Sequence, residues 1–247
     1  MTPRTRLAGG VLLFLLCASP DQRAASPADP DKDPATLKLL QEARTLIDAK
    51  KPQPAIEKCE KVIASFKAHY GDSKSKIYCA QSSAENLGYL LMAAAAINKG
   101  EFDKDKKNAI VLSSSWATAY FIQAYALQDL GRLADAKSTL QLALELSPSN
   151  SRYLSELGSI YVLEKNWPKA KEAFAKAEDE APIASDDSKA EVLARARRGL
   201  GYVFVELGQL EAAEKKYQQC LAADPKDTKA ADELEYVRRL RAKAKSQ

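Results

Sequence analysis

The sequence predicts an all-α chain built as a solenoid of stacked helix hairpins, and three observations carry that prediction. From Ser151 to Ala184 the residues Leu154, Leu157, Gly158, Tyr161, Ala170, Phe174 and Ala177 recur at steps of three and four, broken around Lys165 to Pro168 and ended by Pro182. Such spacing describes two amphipathic helices joined by a tight turn. A window moved back by 34 residues puts Tyr120, Ala124, Leu127, Gly131, Ala136, Leu140, Ala143 and Pro148 on the same slots. A period of this size marks a solenoid, in which each unit buries its apolar side only against its neighbours. The composition agrees: alanine, leucine, lysine and glutamate lead, aromatic residues make up 7%, and alternating runs of Val, Ile and Thr are missing. No sheet is expected.

The chain begins with Arg4 and Arg6, an apolar run from Leu7 to Ala18, and then small and polar residues to Ala25. That order reads as a secretory signal over residues 1–25 and predicts a periplasmic or secreted location. About a dozen apolar residues fall short of the roughly 20 that a spanning helix needs, so no transmembrane segment is expected after signal removal. Cys17 ends the run where a lipid-bearing cysteine would stand. Leu16 precedes it, however, where bacterial lipoprotein signals resemble one another in having a small residue, so lipid anchoring is the weaker reading. Residues 26–33 lack apolar periodicity and read as a disordered leader. Of the net charge of +4, Arg4, Arg6 and Arg23 against Asp21 supply +2. The remainder is too mild to point to nucleic acid.

Order is expected from Asp33, placed to cap a helix that Pro34 begins. Leu37, Leu40, Ala43, Leu46 and Ile47 form its stripe, Lys51 to Pro54 make a turn, and Ala55, Cys59, Val62, Ile63 and Phe66 line the second helix. A long helix is then expected from Ser73 to about Asn98, with a short partner from Asp103 to Leu112. Residues 34–112 thus read as degenerate helical repeats. Regular repeats occupy 113–227: after 117–150 and 151–184, a third copy at 194–227 carries Leu200, Gly201, Phe204, Gly208, Ala213, Tyr217, Cys220 and Pro225. The nine extra residues from Ser185 to Leu193 are expected to lengthen its front helix, starting at Asp186, Asp187 and Ser188. Residues 228–247 read as a capping helix with a basic tail, Ala231, Leu234, Val237 and Leu240 giving it one apolar face.

The spacing also says how the helices pack. Ala124, Gly158 and Gly201 on the front helices, with Ala136, Ala170 and Ala213 on the back ones, permit close approach, while Tyr161 with Phe174 and Phe204 with Tyr217 fill the space between pairs. Gly131 and Gly208 permit the reversals, and Pro148, Pro182 and Pro225 end the back helices. On these residues the chain resembles the tetratricopeptide repeat family, strongly over 117–184, well over 194–227 and loosely over 35–112. The resemblance implies a right-handed superhelix whose front helices line a concave groove, a docking surface for a peptide or partner helix. Arg197 departs from the family, standing in a slot that Tyr120 and Leu154 fill in the other repeats, and puts the stacking of the last repeat in question.

Catalytic signatures are missing from the sequence: there is no GxGxxG, phosphate loop, HExxH, GxSxG or CxxC, and the single histidine, His69, stands at a predicted helix end. No enzyme activity, metal or cofactor is therefore expected. The front-helix positions left free by packing are Thr118, Phe121 and Tyr125, then Arg152, Ser155 and Ser159, then Arg195, Arg198 and Tyr202. Arginine forks match carboxylates and the aromatic rings give an amphipathic contact surface, so these residues are the expected binding site for a protein or peptide partner, acidic or presenting its C-terminus. The alternative is that the arginines pair with carboxylates of the chain itself. Cys59 and Cys79 flank one loop on consecutive predicted helices, where a hairpin could bring them within the roughly 4.4–6.8 Å between Cα atoms that a disulfide needs. The alternative is that each, like Cys220, is a small buried apolar residue. The reading that follows is a non-enzymatic interaction scaffold of the bacterial envelope. Its rivals are an accessory or immunity-type protein that blocks a partner, and a thiol redox protein using Cys59 and Cys79.

Overall fold

The computed structural model describes residues 28–100 and 108–245. The signal segment with Cys17, and residues 101–107 at the start of the expected short helix, lie outside the described residues. Two helices, α1 (Pro34–Asp48) and α2 (Pro52–Tyr70), form the first hairpin. Asp33 caps α1 by accepting the Ala35 N–H at 2.9 Å, and Pro34 occupies its first turn, where a missing N–H leaves no bond unmade. Residues 28–33 are not a loose leader. Tyr70 donates its hydroxyl to Asp29 at 2.7 Å, Thr36 donates to the Pro30 carbonyl at 2.8 Å, and Asp31 accepts from the Ser113 N–H at 3.1 Å.

Contrary to the expectation of no sheet, the described residues include a two-stranded one. Ser75–Ala80 is a strand (β1), Ser83–Asn98 a helix (α3) and Asn108–Ser113 a second strand (β2), paired in parallel with Ser75 opposite Asn108 and Ala80 opposite Ser113. The long helix expected from Ser73 is therefore a strand up to Ala80 and a helix only from Ser83, and the short helix expected to end at Leu112 is β2 from Asn108 onward. Ser82 starts α3 instead, accepting the Glu85 N–H at 3.0 Å while the Glu85 carboxylate reaches back to the Gln81 N–H at 2.7 Å. This is a capping box displaced by one residue. Parallel strands require a crossover, and α3 supplies it.

The β1–α3–β2 unit leaves and rejoins a stack that continues without it. Helix α4 (Ser115–Asp129) packs directly on α2, where Trp116 stacks against both Phe66 and Tyr70 at ring separations of 5.4 and 6.4 Å. The hairpins α4/α5 (Leu133–Leu146), α6 (Ser151–Leu163)/α7 (Trp167–Glu180) and α8 (Asp186–Glu206)/α9 (Leu210–Ala223) follow, closed by α10 (Thr228–Lys245). The nine extra residues do lengthen α8. All four hairpins reverse through one residue in the left-handed region: Gly131 and Gly208, as expected, but also Lys50 and Lys165 at φ 56° and 54°. In each, the next N–H closes a six-residue loop onto the helix, as Arg132 does to Leu127 and Asn166 to Tyr161.

Close packing in the repeats depends on glycine. The Phe174 ring sits between α6 and α8, so a Cβ at Gly158 would lie 2.9 Å from it and one at Gly199 only 2.3 Å; Gly201 stands in the same relation to Tyr217 at 2.6 Å. Arg197 does not loosen the last repeat. It pairs with Glu178 at 3.0 Å, and Lys216 reaches the same carboxylate at 2.5 Å, so a charged bridge between α7, α8 and α9 replaces the ring. Cys220 is packed with Ala213, Tyr217, Leu234 and Val237, where the cap closes the stack.

Candidate functional site

The front helices α1, α4, α6 and α8 surround a cavity of about 610 Å³. From α4 come Thr118, Phe121, Ile122 and Tyr125; from α6, Arg152, Tyr153 and Glu156; from α8 and the turn before it, Ser185, Ser188 and Arg195; from the end of α1, Arg44 and Asp48. Their spacing of three and four residues within α4 and α6 puts them on one helix face. Gln81, at the corner after β1, completes the wall, and Ser82 beside it donates to the Ile183 carbonyl at 2.7 Å, tying that corner to the turn before α8. The insert and the lengthened α8 thus meet at this cavity.

Its base is rigid. Tyr153 is 1% exposed, stacks on Phe121 at 4.8 Å, and shares its hydroxyl with Thr118 at 3.3 Å and the Gln81 amide at 3.4 Å. Burial pushes this phenol up to about 12, so it stays neutral. Glu156, almost fully buried, accepts from Gln128 at 3.0 Å and forms an ion pair with Arg195. Arg152 pairs with Glu191 at 2.9 Å, but that carboxylate is 60% exposed and held in open solvent. Among the described residues, Arg44 has no ion-pair partner, and it is exposed.

Of the positions read from repeat phase, the structure brings Phe121, Tyr125, Arg152 and Arg195, with Thr118, to one cavity. Ser155, Ser159, Arg198 and Tyr202 lie elsewhere. Ser155 is fully buried with its hydroxyl unpartnered, and Ser159 donates to the Ser155 carbonyl at 3.1 Å. Arg198 is ion-paired with Asp227, whose other carboxylate oxygen accepts the Ala230 N–H at 3.1 Å in the first turn of α10, so its role is to anchor the cap. Tyr202 faces Trp167 at a ring separation of 6.5 Å. Arg44, Gln81 and Glu156 were not foreseen. Arg44 and Gln81 belong to segments outside the regular repeat phase, and a glutamate among charged helix residues carries no sequence mark of burial.

Of the two readings of Cys59 and Cys79, the possible bridge is not formed and the alternative holds: both are free, fully buried thiols. They lie on α2 and β1 rather than on two helices of one hairpin, and burial pushes each thiol up to about 12. A neutral, inaccessible thiol is a poor nucleophile. His69 closes the last turn of α2 with its ring 4.6 Å from Tyr70. Among the described residues, no group of His, Cys, Asp and Glu has the arrangement to hold a metal, and no helix is long and apolar enough to cross a membrane.

The molecule is therefore an α-solenoid of helix hairpins with a concave, side-chain-lined front. Family models described as tetratricopeptide repeat match residues 117–150 and 149–226. The chain is 31% identical over 144 residues to tetratricopeptide repeat protein 28 of Mus musculus, an alignment that takes 53% of this chain and 6% of that protein. Residues 117–226 of this chain are thus tetratricopeptide repeats. Among solved structures, a functional characterisation of Pseudomonas aeruginosa PilF is similar at a TM-score of 0.58 and 14% identity, covering 85% of this chain and 70% of that one. MamA from Desulfovibrio magneticus is similar at 0.53 and 14% identity, with 87% and 89% covered. At those identities the likeness is one of fold.

Proposed function

We propose that this protein is a non-enzymatic interaction scaffold of the bacterial envelope that holds an acidic peptide segment of a partner protein in the cavity between α1, α4, α6 and α8. The observation that carries the reading is the pairing state of the cavity's cations. Arg195 is spent on buried Glu156, but Arg44 has no described partner and Arg152 is held only by a mostly exposed carboxylate. An exposed pair of that kind is worth about 0–1 kcal/mol, so an incoming carboxylate can displace Glu191 at little cost. Tyr125, 37% exposed at the rim, and Phe121 beside it offer ring faces to the rest of the peptide. An exported location rests on the signal-like residues 1–25.

The test is titration of the protein with fluorescent peptides ending in Asp or Glu, against amidated, neutral counterparts. The Arg44→Ala/Arg152→Ala double variant is expected to keep the helix content and to lose about tenfold or more in affinity, the loss of one charged hydrogen-bonded contact. Equal binding by wild type and double variant removes the site. The redox alternative has lost its support, because Cys59 and Cys79 are buried and unbridged.

A further inference from the structure

Helix α3 is out of keeping with its surroundings. Across Ser83–Asn98 its only acidic or basic residue is Glu85, which is buried, and it packs on β1 and β2 by the narrow stripe of Glu85, Tyr89 and Ala93. Leu87, Leu90, Leu91, Met92 and Ile97 remain 42–62% exposed. A helix that is apolar all round belongs inside a larger core. Strand β2 is equally incomplete: no other described strand pairs with it beyond β1, and Asn108–Leu112 carry none of the charges, prolines or bulges that guard an open edge. Ser113 differs, since its N–H and hydroxyl are taken by Asp31.

Both deficits face the same way. At the C-terminal ends of the strands, Asn86, Leu87 and Leu90 line one cleft with Val111, Leu112 and Ser113 of β2 and with Ala80 to Ser83 at the end of β1; β2 supplies three strand residues to it and β1 one, so this flank of α3 leans to the β2 side, and Ile97 lies two turns beyond Leu90 on the same flank.

We infer that this face binds a second copy of the chain, with β2 pairing antiparallel to β2 of the partner copy about a two-fold axis normal to the sheet. The strand order becomes β1–β2–β2–β1, with both α3 helices on one face. Each helix covers its own strand pair, so the helix axes fall two strand steps apart, about 9.6 Å at a strand spacing of about 4.8 Å. Helices pack at about 8–10 Å, so the docking that completes the sheet also brings the two Leu87–Leu90–Ile97 flanks into contact. A self-complementary patch is what a two-fold interface requires. A specific interface needs about 1,000 Å² or more over the two copies, and the exposed α3 flanks together with the strand edges are the surface that would supply it. No charge on α3 opposes its own copy. The same lack of charge argues against a membrane surface, since helices that lie on lipid carry lysine and arginine on their polar face.

Sedimentation of the full chain over about 1–100 μM, the range where an interface of this size separates, tests the inference. Twice the chain mass is expected. The Leu87→Glu/Leu90→Glu double variant is expected to halve it without changing helix content, whereas Leu163→Glu, at a 60% exposed leucine on α6, leaves it unchanged. A monomer at every concentration, a dimer that survives the double variant, or a monomer that instead binds neutral lipid vesicles through α3 overturns the proposal.

Discussion

Glu178 and Glu85 are both carboxylates taken largely out of water, one in the regular repeats and one in the β1–α3–β2 insert, and their surroundings are opposite. Glu178 lies between Arg197 of α8 and Lys216 of α9, so the charge that α7 buries is met by the next two helices. Glu85 is 1% exposed and, among the described residues, has no ion-pair partner; it accepts one N–H from Gln81. The same contrast holds for apolar groups. Phe174 is enclosed by glycines on both sides, while the leucines of α3 stand in solvent. The repeats therefore meet this buried charge with cations and enclose their large rings, whereas the insert leaves its carboxylate without a described cation and its leucines in solvent, which is the mark of a unit shaped for a further contact.

The largest expected effect strikes the enclosed side. In Gly199→Ala the new methyl would lie 2.3 Å from the Phe174 ring, and that ring, 4% exposed and backed by Gly158, has no room to yield. Overpacking of this kind costs about 1–3 kcal/mol, read as a lower urea midpoint with little change in slope. An unaffected midpoint would mean that the repeats are looser than their packing shows.

Gly199 also marks where sequence reading reached and where it stopped. Gly158 and Gly201 were legible as close-approach positions because they occupy matching slots in a 34-residue period, whereas Gly199 serves the preceding hairpin and falls outside that phase. The cavity divides along the same line. Phe121, Tyr125, Arg152 and Arg195 follow from phase alone, but Arg198 was misplaced because its partner, Asp227, belongs to the capping helix beyond the last repeat. The strands escaped for a different reason. Ile77–Tyr78–Cys79 and Ile110–Val111–Leu112 are too short to separate from buried helix by periodicity. The signal that was present is Ser82 three residues before Glu85, a helix start in the middle of an expected helix.

The two carboxylates make the comparison testable by pH, with opposite signs. Burial alone would raise Glu178, but Lys216 and Arg197 outweigh it and hold this carboxyl below its usual 4.5. Its contribution is present above that value and is lost as pH falls through the lower, folded one. For Glu85, burial raises the carboxyl, so the folded state favours the protonated form. Its contribution is full below 4.5 and is lost as pH rises through the raised value. Glu178→Gln should therefore destabilise by about 1 kcal/mol at pH 7 and by less under acid conditions. Glu85→Gln, which keeps an acceptor for the Gln81 N–H, should stabilise at pH 7 by about 1 kcal/mol and have no effect at pH 4. Urea titrations at the two pH values check both, and equal signs would remove the distinction between the regions.

The smallest effect comes from making the Gly199 change in the insert. Gly88 is a helix-interior glycine of α3 like Gly199 of α8, yet a Cβ built on it meets nothing within 4 Å. With no steric opposition, what remains is the backbone entropy that glycine loses in a helix, so Gly88→Ala should raise stability by about 0.5–1 kcal/mol. Gly88 and Leu90 are two residues apart, roughly 200° around the helix, so the added methyl points away from the flank assigned to the second copy. The sedimenting mass should then be unchanged while the urea midpoint rises. A fall in midpoint at constant mass would show that the far side of α3 is closely packed too, and the contrast between a closed repeat and an open insert would fail on that side. A fall in mass would instead place the contact between copies on the Gly88 flank.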